Sequence, residues 1–264
     1  MKFSGILGVL SVLTVFLLAI FDSSHSKEIF LNTHAIVIVI GGTLAATILC
    51  FPVSMLFNLV KVFFQKVLGR YSQAHETVIK EIVDLARGYR EDEFYLKNNL
   101  DQIKTHFLRD AIDLMVKGGI KPKVIDEILY KRSLTHSKRY EEEAGVFKVV
   151  GKFPPAFGLM GTTLGMIGLL QSIGNADAFK KLGPSMAVAL VATFYGIALA
   201  NLIFVPLGEH LSQLNREDEV LRQIVMDGVR QLRLKEHPVV VEEHLKSYLL
   251  PKERDRFDKN HKVA

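Results

Sequence analysis

The chain has 264 residues, of which 49% are hydrophobic and 23% are charged, and its formal net charge is +5. Its single cysteine, Cys50, excludes an intrachain disulfide and a cysteine-based metal site. The composition also excludes a collagen-like chain and a disordered acidic tail. These averages conceal a very uneven distribution of charge along the sequence.

Four stretches of the sequence contain no Asp, Glu, Lys or Arg, and the shortest of them has 19 residues. A helix of that length reaches roughly 28 Å, which is close to the ~30 Å hydrocarbon core of a bilayer. The sequence therefore predicts an all-α membrane protein with four transmembrane helices and a large helical cytoplasmic insert between helices 2 and 3. The uncharged stretches are residues 3–21, 33–60, 153–176 and 182–208.

The predicted spans divide the chain into two membrane hairpins and two cytoplasmic parts. The hairpins are residues 1–60 and 153–208, the helical insert is residues 61–152, and a helical tail follows at residues 209–264. The four spans cover about 3–21, 34–56, 153–175 and 183–206.

The first stretch also has features of a secretory signal peptide, because Lys2 precedes an apolar run. No small-x-small cleavage site follows Ile20, and the run is longer than the usual ~7–15 residues. The pattern favours a retained helix.

The lysines and arginines set the orientation of these spans. Most of them lie in residues 54–152 and 207–264, whereas the two short connections hold only Lys27, Lys180 and Lys181. The positive-inside rule places the insert and both termini in the cytoplasm. Attraction to anionic lipid is enough to explain the basic charge, so the lipid bilayer is an expected partner and nucleic acid is not.

The insert and the tail show helical periodicity. Apolar residues recur at helical spacing over residues 75–89, and a second amphipathic helix is predicted over residues 94–116, ended by Gly118 and Gly119. A third helix begins at Pro122 and can continue into the third span. The tail repeats the pattern between Leu221 and Leu232, which predicts a small helical bundle.

Small residues line one face of the third and fourth spans. Such faces let helix backbones approach closely in lipid, and they must meet each other, other copies or a partner helix. The faces comprise Gly158, Gly161, Gly165 and Gly168 on the third span, and Ala189, Ala192, Thr193, Gly196 and Ala200 on the fourth.

No carboxylate lies inside any predicted span. An ion relay normally needs an intramembrane ionisable group. Either the chain conducts nothing, or a partner supplies the carboxylate and this chain supplies a wall with polar candidates at Thr162, Thr163, Thr193 and Tyr195. The sequence also lacks a nucleophile–base set, a phosphate loop and a metal-ligand spacing, so we expect neither an enzyme nor a cofactor.

Three spans and one tail segment resemble the MotA/PomA flagellar stator proteins, within the wider MotA/TolQ/ExbB group. The second span reads HAIVIVIGGTLAATILCFP (34–52), the third PPAFGLMGTTLGMIGLL (154–170) and the fourth GPSMAVALVATFYGIALANLIFVP (183–206). The tail contains SYLLPKERDRF (247–257). The large insert between spans two and three favours the stator branch over the TolQ/ExbB branch.

The resemblance implies a channel-forming stator subunit in the bacterial inner membrane. Five copies would surround two copies of a MotB-like single-span partner, which would provide the ion-binding aspartate and anchor to peptidoglycan. Ion flow would rotate the ring, and the insert would push on the rotor switch protein.

The resemblance also implies roles for individual residues. Pro155 and Pro206 match the prolines of spans three and four, and Thr162 and Thr193 match two pore-facing threonines. Ala192 precedes Thr193 where sodium-driven members usually have Thr, which favours protons, because dehydrated Na⁺ needs oxygen ligands. Gly161, Gly165 and Gly196 are expected to serve packing.

The rotor-facing pattern departs from the family. An Arg followed eight residues later by a Glu is expected, with Arg87 or Arg90 as the basic residue, but Lys97 stands where the Glu belongs. Three alternatives remain open: a sodium-driven stator, an ExbB/TolQ-like energiser of outer-membrane processes, and a purely structural membrane adaptor.

Overall fold

The computed structural model describes residues 30, 32–55, 75–172 and 178–261, together with the single positions 8, 11, 14 and 18. Within these residues all regular structure is helical, without a strand. The chain divides into two compact units. The span unit draws on Met1–Tyr71 and Glu141–Ser212, and the insert–tail unit draws on Ser72–Tyr140 and Gln213–Ala264.

Three helices of the described residues are long and apolar enough to cross a membrane, namely Thr33–Cys50, Pro122–Gln171 and Leu182–Arg233. The predicted first span, at about 3–21, lies outside the described residues apart from the four single positions. The count of four spans therefore stays a prediction.

In the part of the span unit that the structure describes, there are three apolar helical segments. Helix α1 runs over Thr33–Cys50 and begins where the Asn32 Oδ1 accepts a hydrogen bond from the Ala35 amide at 3.1 Å. Helix α1 contains a π-helical turn at Val37–Gly41. Helix α6 covers Phe153–Ser172 and helix α7 covers Ala178–Ala198, which leads into a second π-helical turn at Leu199–Phe204.

The insert–tail unit contains shorter amphipathic helices, and two long helices contribute residues to both units. Three of the helices begin with a proline, at Pro122, Pro238 and Pro251, which suits a helix start because the first-turn N–H groups have no intrahelical acceptor. The helices are α2 (His75–Glu91), α3 (Tyr95–Asn98), α4 (His106–Val116), α5 (Pro122–Val150), α8 (Val205–Arg233), α9 (Pro238–Lys246) and α10 (Pro251–His261).

The insert and the tail share one hydrophobic core. Residues of α2 and α4 pack with residues of α8, α9 and α10, so the tail completes the core that the insert begins. The largest fully buried side chains include Ile79, Ile82, Leu108, Ile112, Ile224, Leu245 and Phe257.

The prediction of a single helix over residues 94–116 is wrong. The structure has α3, a 3₁₀ turn at Leu100–Gln102, an extended residue at Ile103 and then α4. The Glu81 carboxylate accepts hydrogen bonds from the Lys104 amide at 2.6 Å and from the Thr105 hydroxyl at 2.7 Å. This side-chain acceptor competes with helical hydrogen bonding, so the chain turns before α4 begins. The glycines that were expected to end the helix, Gly118 and Gly119, follow α4 with φ of 70° and 74°.

Tyr248 gives the insert–tail unit a testable dependence on alkaline pH. Its burial and the hydrogen bond that its hydroxyl donates to Asp227 raise the pKa of Tyr248 to about 12, from an ordinary value of 10.0. A raised folded-state pKa stabilises the fold below the unfolded pKa, and this stability is lost as the pH rises through the folded pKa. We expect Tyr248→Phe to lower the thermal midpoint at pH 9, with the difference from the wild type shrinking between about pH 10 and 12. The exposed Tyr130→Phe is the control and should show no such difference.

Candidate functional site

Helices α6 and α7 pack through their small-residue faces. A Cβ added to Gly161 would lie 2.4 Å from the Cβ of Ala192, and one added to Gly165 would lie 2.8 Å from the Cβ of Ala189. The two faces therefore meet each other, which leaves Gly168 outside the contact, because nothing lies within 4 Å of a Cβ placed there.

The closest approach occurs at Gly196. A Cβ at Gly196 would lie 2.4 Å from the Pro154 carbonyl oxygen and 3.1 Å from the Cα of Pro155. Across the same contact, a Cβ at Gly158 would lie 3.0 Å from the Ala192 carbonyl oxygen. Backbone therefore touches backbone here, as small residues permit in membrane helices.

Helix α1 covers this pair. Ala35 and Val39 are buried with Val191 and Ala192 in one small apolar cluster. At Gly42 the helix lies against the Phe157 ring, since a Cβ there would be 2.3 Å from the ring Cδ1.

The hydroxyls of Thr162 and Thr193 donate to the carbonyls of two consecutive residues of α6. The Thr162 hydroxyl donates to the Leu159 carbonyl at 2.7 Å, and the Thr193 hydroxyl donates to the neighbouring Gly158 carbonyl at 3.4 Å. Because each hydroxyl donates its proton to the backbone, each oxygen can interact with a further group only as a hydrogen-bond acceptor or metal ligand. Both side chains are partly exposed in the single chain. The pair can therefore accept a hydrogen bond from a protonated group or coordinate a cation.

Two other wall candidates, Thr163 and Tyr195, have local partners. The Thr163 hydroxyl donates to the Met160 carbonyl at 2.8 Å. The Tyr195 hydroxyl donates to the Phe30 carbonyl, which ties α7 to the residues preceding α1. Ala192 is fully buried (0% exposed), so its methyl group packs inside the chain beside Thr193.

The two prolines that match those of the family, Pro155 and Pro206, lie at different kinds of position. Pro155 is in the first turn of α6, after the turn at residues 151–152, where a missing N–H interrupts no helical hydrogen bond. Pro206 follows directly on the π-helical turn, in which the Val205 amide donates to the Ala200 carbonyl. A widened turn accommodates a proline ring that would otherwise clash with the preceding turn.

Sequence reasoning missed a polar stripe on α1. Thr43 and Thr47 are both buried, and the Thr47 hydroxyl donates to the Thr43 carbonyl at 2.6 Å. Among the described residues the Thr43 hydroxyl has no hydrogen-bond partner. The signal was available in the sequence, since two threonines four residues apart share a helix face.

The expected rotor-facing residues lie in the insert–tail unit and are all exposed. Arg87 pairs with Asp84 at 3.7 Å. Within the described ranges Arg90 and Lys97 form no ion pair, so both charges are available to another molecule. The functional roles of all these residues stay predictions.

The chain is similar to known motility proteins over most of its length. A profile of the MotA/TolQ/ExbB proton channel family matches residues 99–224. The chemotaxis protein PomA of Vibrio alginolyticus is 32% identical over 225 residues, which cover 85% of this chain and 86% of PomA. Motility protein A of Borreliella burgdorferi is 33% identical over 190 residues, 72% of each chain.

A solved structure shares the fold. The flagellar MotAB stator complex from Bacillus subtilis contains a chain that superposes with a TM-score of 0.85 at 24% identity, covering 96% of this chain and 98% of that one. The likeness to PomA extends over most of both sequences. The chain therefore belongs to the MotA/PomA flagellar stator proteins of the MotA/TolQ/ExbB proton channel family.

Proposed function

We propose that this chain is the channel-forming subunit of a flagellar stator that couples proton flow across the bacterial inner membrane to torque on the rotor. The observation that carries the proposal is the packing of α6 with the part of α7 from Leu182 onward, neither of which contains a charged residue, with two hydroxyl oxygens, Thr162 and Thr193, available as acceptors. Such a wall needs an ionisable group from elsewhere.

A MotB-like single-span partner supplies that group, an aspartate in the membrane. When protonated, the aspartate can donate a hydrogen bond to a threonine oxygen, and when ionised it loses that interaction. The threonine pair therefore distinguishes the two protonation states. We further propose that five copies of this chain surround two copies of the partner, with both termini in the cytoplasm. The mechanism requires no cofactor.

Ala192 supports the choice of protons over sodium. Na⁺ requires several oxygen ligands, and the methyl group beside Thr193 offers none. Hydroxyls at Thr162 and Thr193 alone make a poor site for a dehydrated cation, whereas they suffice to accept one hydrogen bond.

Close helix packing at Gly161, Gly165 and Gly196 holds the two hydroxyls in place. Pro155 and Pro206 fix the cytoplasmic ends of the two helices.

The rotor switch protein is the proposed partner of the insert. Arg90 and Lys97 provide exposed, unpaired positive charge, and Arg87 lies one turn away on α2. Their exposure to solvent suits a contact that forms and breaks as the ring turns.

The decisive experiment uses the source bacterium with the gene deleted and restored. We expect deletion to abolish swimming, and the wild-type gene to restore swimming that persists in sodium-free buffer and stops within seconds of adding a protonophore. Swim speed of tracked single cells is the measurement, because motor torque follows the ion-motive force directly.

The sodium-driven stator and the ExbB/TolQ-like energiser each predict another result. Swimming that requires sodium and resists the protonophore would identify a sodium-driven stator. Intact swimming combined with a leaky envelope would identify an ExbB/TolQ-like energiser. A neighbouring reading frame with one span and a peptidoglycan-binding domain favours the stator over the energiser.

A further inference from the structure

Helix α10 has one buried side chain. Phe257 is fully buried in the common core of the insert–tail unit, whereas the other residues of α10 between Pro251 and Lys259 are all exposed. The helix has 11 residues, and a helix of that length is marginally stable in isolation. The helical structure of α10 therefore depends on the place where Phe257 inserts, which we call the seat.

The seat joins the insert to the tail. The ammonium groups of Lys80 on α2 and of Lys246 on α9 each lie 5.4 Å from the centre of the Phe257 ring, where the ring attracts a cation. Lys246 also contacts the carboxylate of Asp258, the next residue of α10, at 2.7 Å. While it is docked, α10 therefore bridges α2 and α9.

Release of α10 would leave no buried charge without a partner. Lys246 also contacts Glu242 and Glu243 of its own helix, each at 2.9 Å, so its ammonium stays paired when Asp258 leaves. The Asp258 side chain is already 50% exposed. Breaking an ion pair is costly chiefly when it strands a buried charge, and here it does not.

The chain just before α10 has anchors of its own. Leu249 is buried in the core, and the Tyr248 hydroxyl donates a hydrogen bond to Asp227 on α8. The next residue, Leu250, is exposed. Detachment can therefore stop at Leu250 and leave α9 in place.

We propose that α10 is a reversible latch, which folds and docks in one step through Phe257 and detaches while the rest of the insert–tail unit stays folded. Contiguous segments with few buried contacts open in this way, as cooperative units below the global stability. When the latch is docked it ties α2 to the tail, and when it is released α2 is held less firmly.

Hydrogen–deuterium exchange of the full-length protein in lipid nanodiscs tests the latch directly. We expect the amides of α10 to share one protection factor, at least about tenfold below that of the amides of α9. The common value indicates a single opening step, and the difference from α9 indicates that this step is local.

Substitutions at the seat should change this opening selectively. Phe257→Ala should remove the protection of α10 and lower that of α2 around Lys80 about threefold, while α4 and α8 keep the wild-type values. Phe257→Leu retains an apolar anchor and should restore most of the protection. Asp258→Asn should lower the protection of α10 alone, whereas Asp255→Asn, the same change at another exposed position of α10, is the control and should have no effect.

Several results would contradict the latch. Equal protection of α10 and α9 in the wild type would mean that α10 opens only with the whole unit. Unchanged protection of α10 in Phe257→Ala would show that Phe257 does not hold it. A Phe257→Ala protein that fails to fold, or that loses protection in α4 and α8 as well, would identify Phe257 as a residue of the general core. Equal behaviour of Asp258→Asn and Asp255→Asn would exclude the Lys246 contact from the latch.

The consequence for the motor rests on the proposed function. Because α2 transmits force through the insert, we expect the stall torque of tethered Phe257→Ala cells to fall at least twofold at unchanged ion conduction, with Asp255→Asn cells at the wild-type torque. Wild-type torque in Phe257→Ala cells would overturn this consequence. Failure of the proposed function is visible separately, as swimming that survives deletion of the gene, and the exchange measurement does not depend on it.

Discussion

Gly196→Ala is expected to abolish swimming and to reduce the amount of folded protein in the membrane. The added Cβ would meet the Pro154 carbonyl oxygen at 2.4 Å and the Pro155 Cα at 3.1 Å. Both atoms belong to the backbone, so no side chain can turn away to relieve the overlap. The helices α6 and α7 must separate, and overpacking of this kind costs about 1–3 kcal/mol. Separation also moves Thr193 away from Gly158, which disrupts the hydroxyl pair as well as the fold.

Gly168→Ala is the control for this prediction. It makes the same chemical change in α6, but nothing lies within 4 Å of the added Cβ. Alanine also favours the helix over glycine by about 0.5–1 kcal/mol, so stability should be unchanged or slightly higher. Swim speed and the quantity of protein in purified membranes are the measurements. If both variants fail equally, the loss arises from contacts with other chains and the close α6–α7 contact at Gly196 is not its cause.

The membrane segments could be predicted from sequence because bilayer thickness imposes a length and a composition. A run of about twenty uncharged residues is unusual outside a membrane span. The uncharged stretch at 153–176 and helix α6 accordingly begin at the same residue. The sequence does not determine whether the small-residue faces of the third and fourth spans pack against each other or against other chains. Periodicity identifies a face but not its neighbour, and only the structure places Gly161 against Ala192.

The turn before α4 could not be predicted from local pattern. Apolar spacing over residues 94–116 suits a helix throughout, and the interruption depends on Glu81, which is 23 residues away from Lys104. Local periodicity contains no information about such a partner. The same limit applies to the helical bundle of insert and tail: periodicity predicts the bundle, but it does not predict that Phe257 of α10 packs in one core with residues of the insert.

The resemblance identifies Thr162 and Thr193 from the sequence, whereas their hydrogen-bond partners are seen only in the structure. A threonine in a membrane helix usually donates to its own helix, as Thr162 does, and that leaves its role open. Thr193 instead donates across to Gly158 on another helix. This second hydrogen bond joins α7 to α6, and the periodicity of one helix contains no information about such a contact.

Lys246→Met is expected to loosen the helix α10 and to lower the stability of the insert–tail unit by about 1.5–3 kcal/mol, the usual range for hydrogen bonds to charged groups. Lys246 is only 8% exposed, and its ammonium contacts Glu242 at 2.9 Å, Glu243 at 2.9 Å and Asp258 at 2.7 Å. Methionine retains the aliphatic stem and removes the charge. Glu242 then loses its ammonium partner while remaining largely buried.

The pH dependence of this effect separates the ammonium from simple packing. Burial lowers the pKa of Lys246, but the hydrogen bonds with Asp258, Glu243 and Glu242 together outweigh burial and raise the pKa above its ordinary value of 10.5. The stabilisation is therefore complete below about pH 10.5 and is lost only as the pH rises through the folded-state pKa. Protease cleavage within α10 and the thermal midpoint should differ strongly between wild type and Lys246→Met at pH 7 and converge at more alkaline pH. Lys252→Met, at an exposed position of α10, should change both by little at any pH, and an equal effect of the two variants would contradict the role assigned to Lys246.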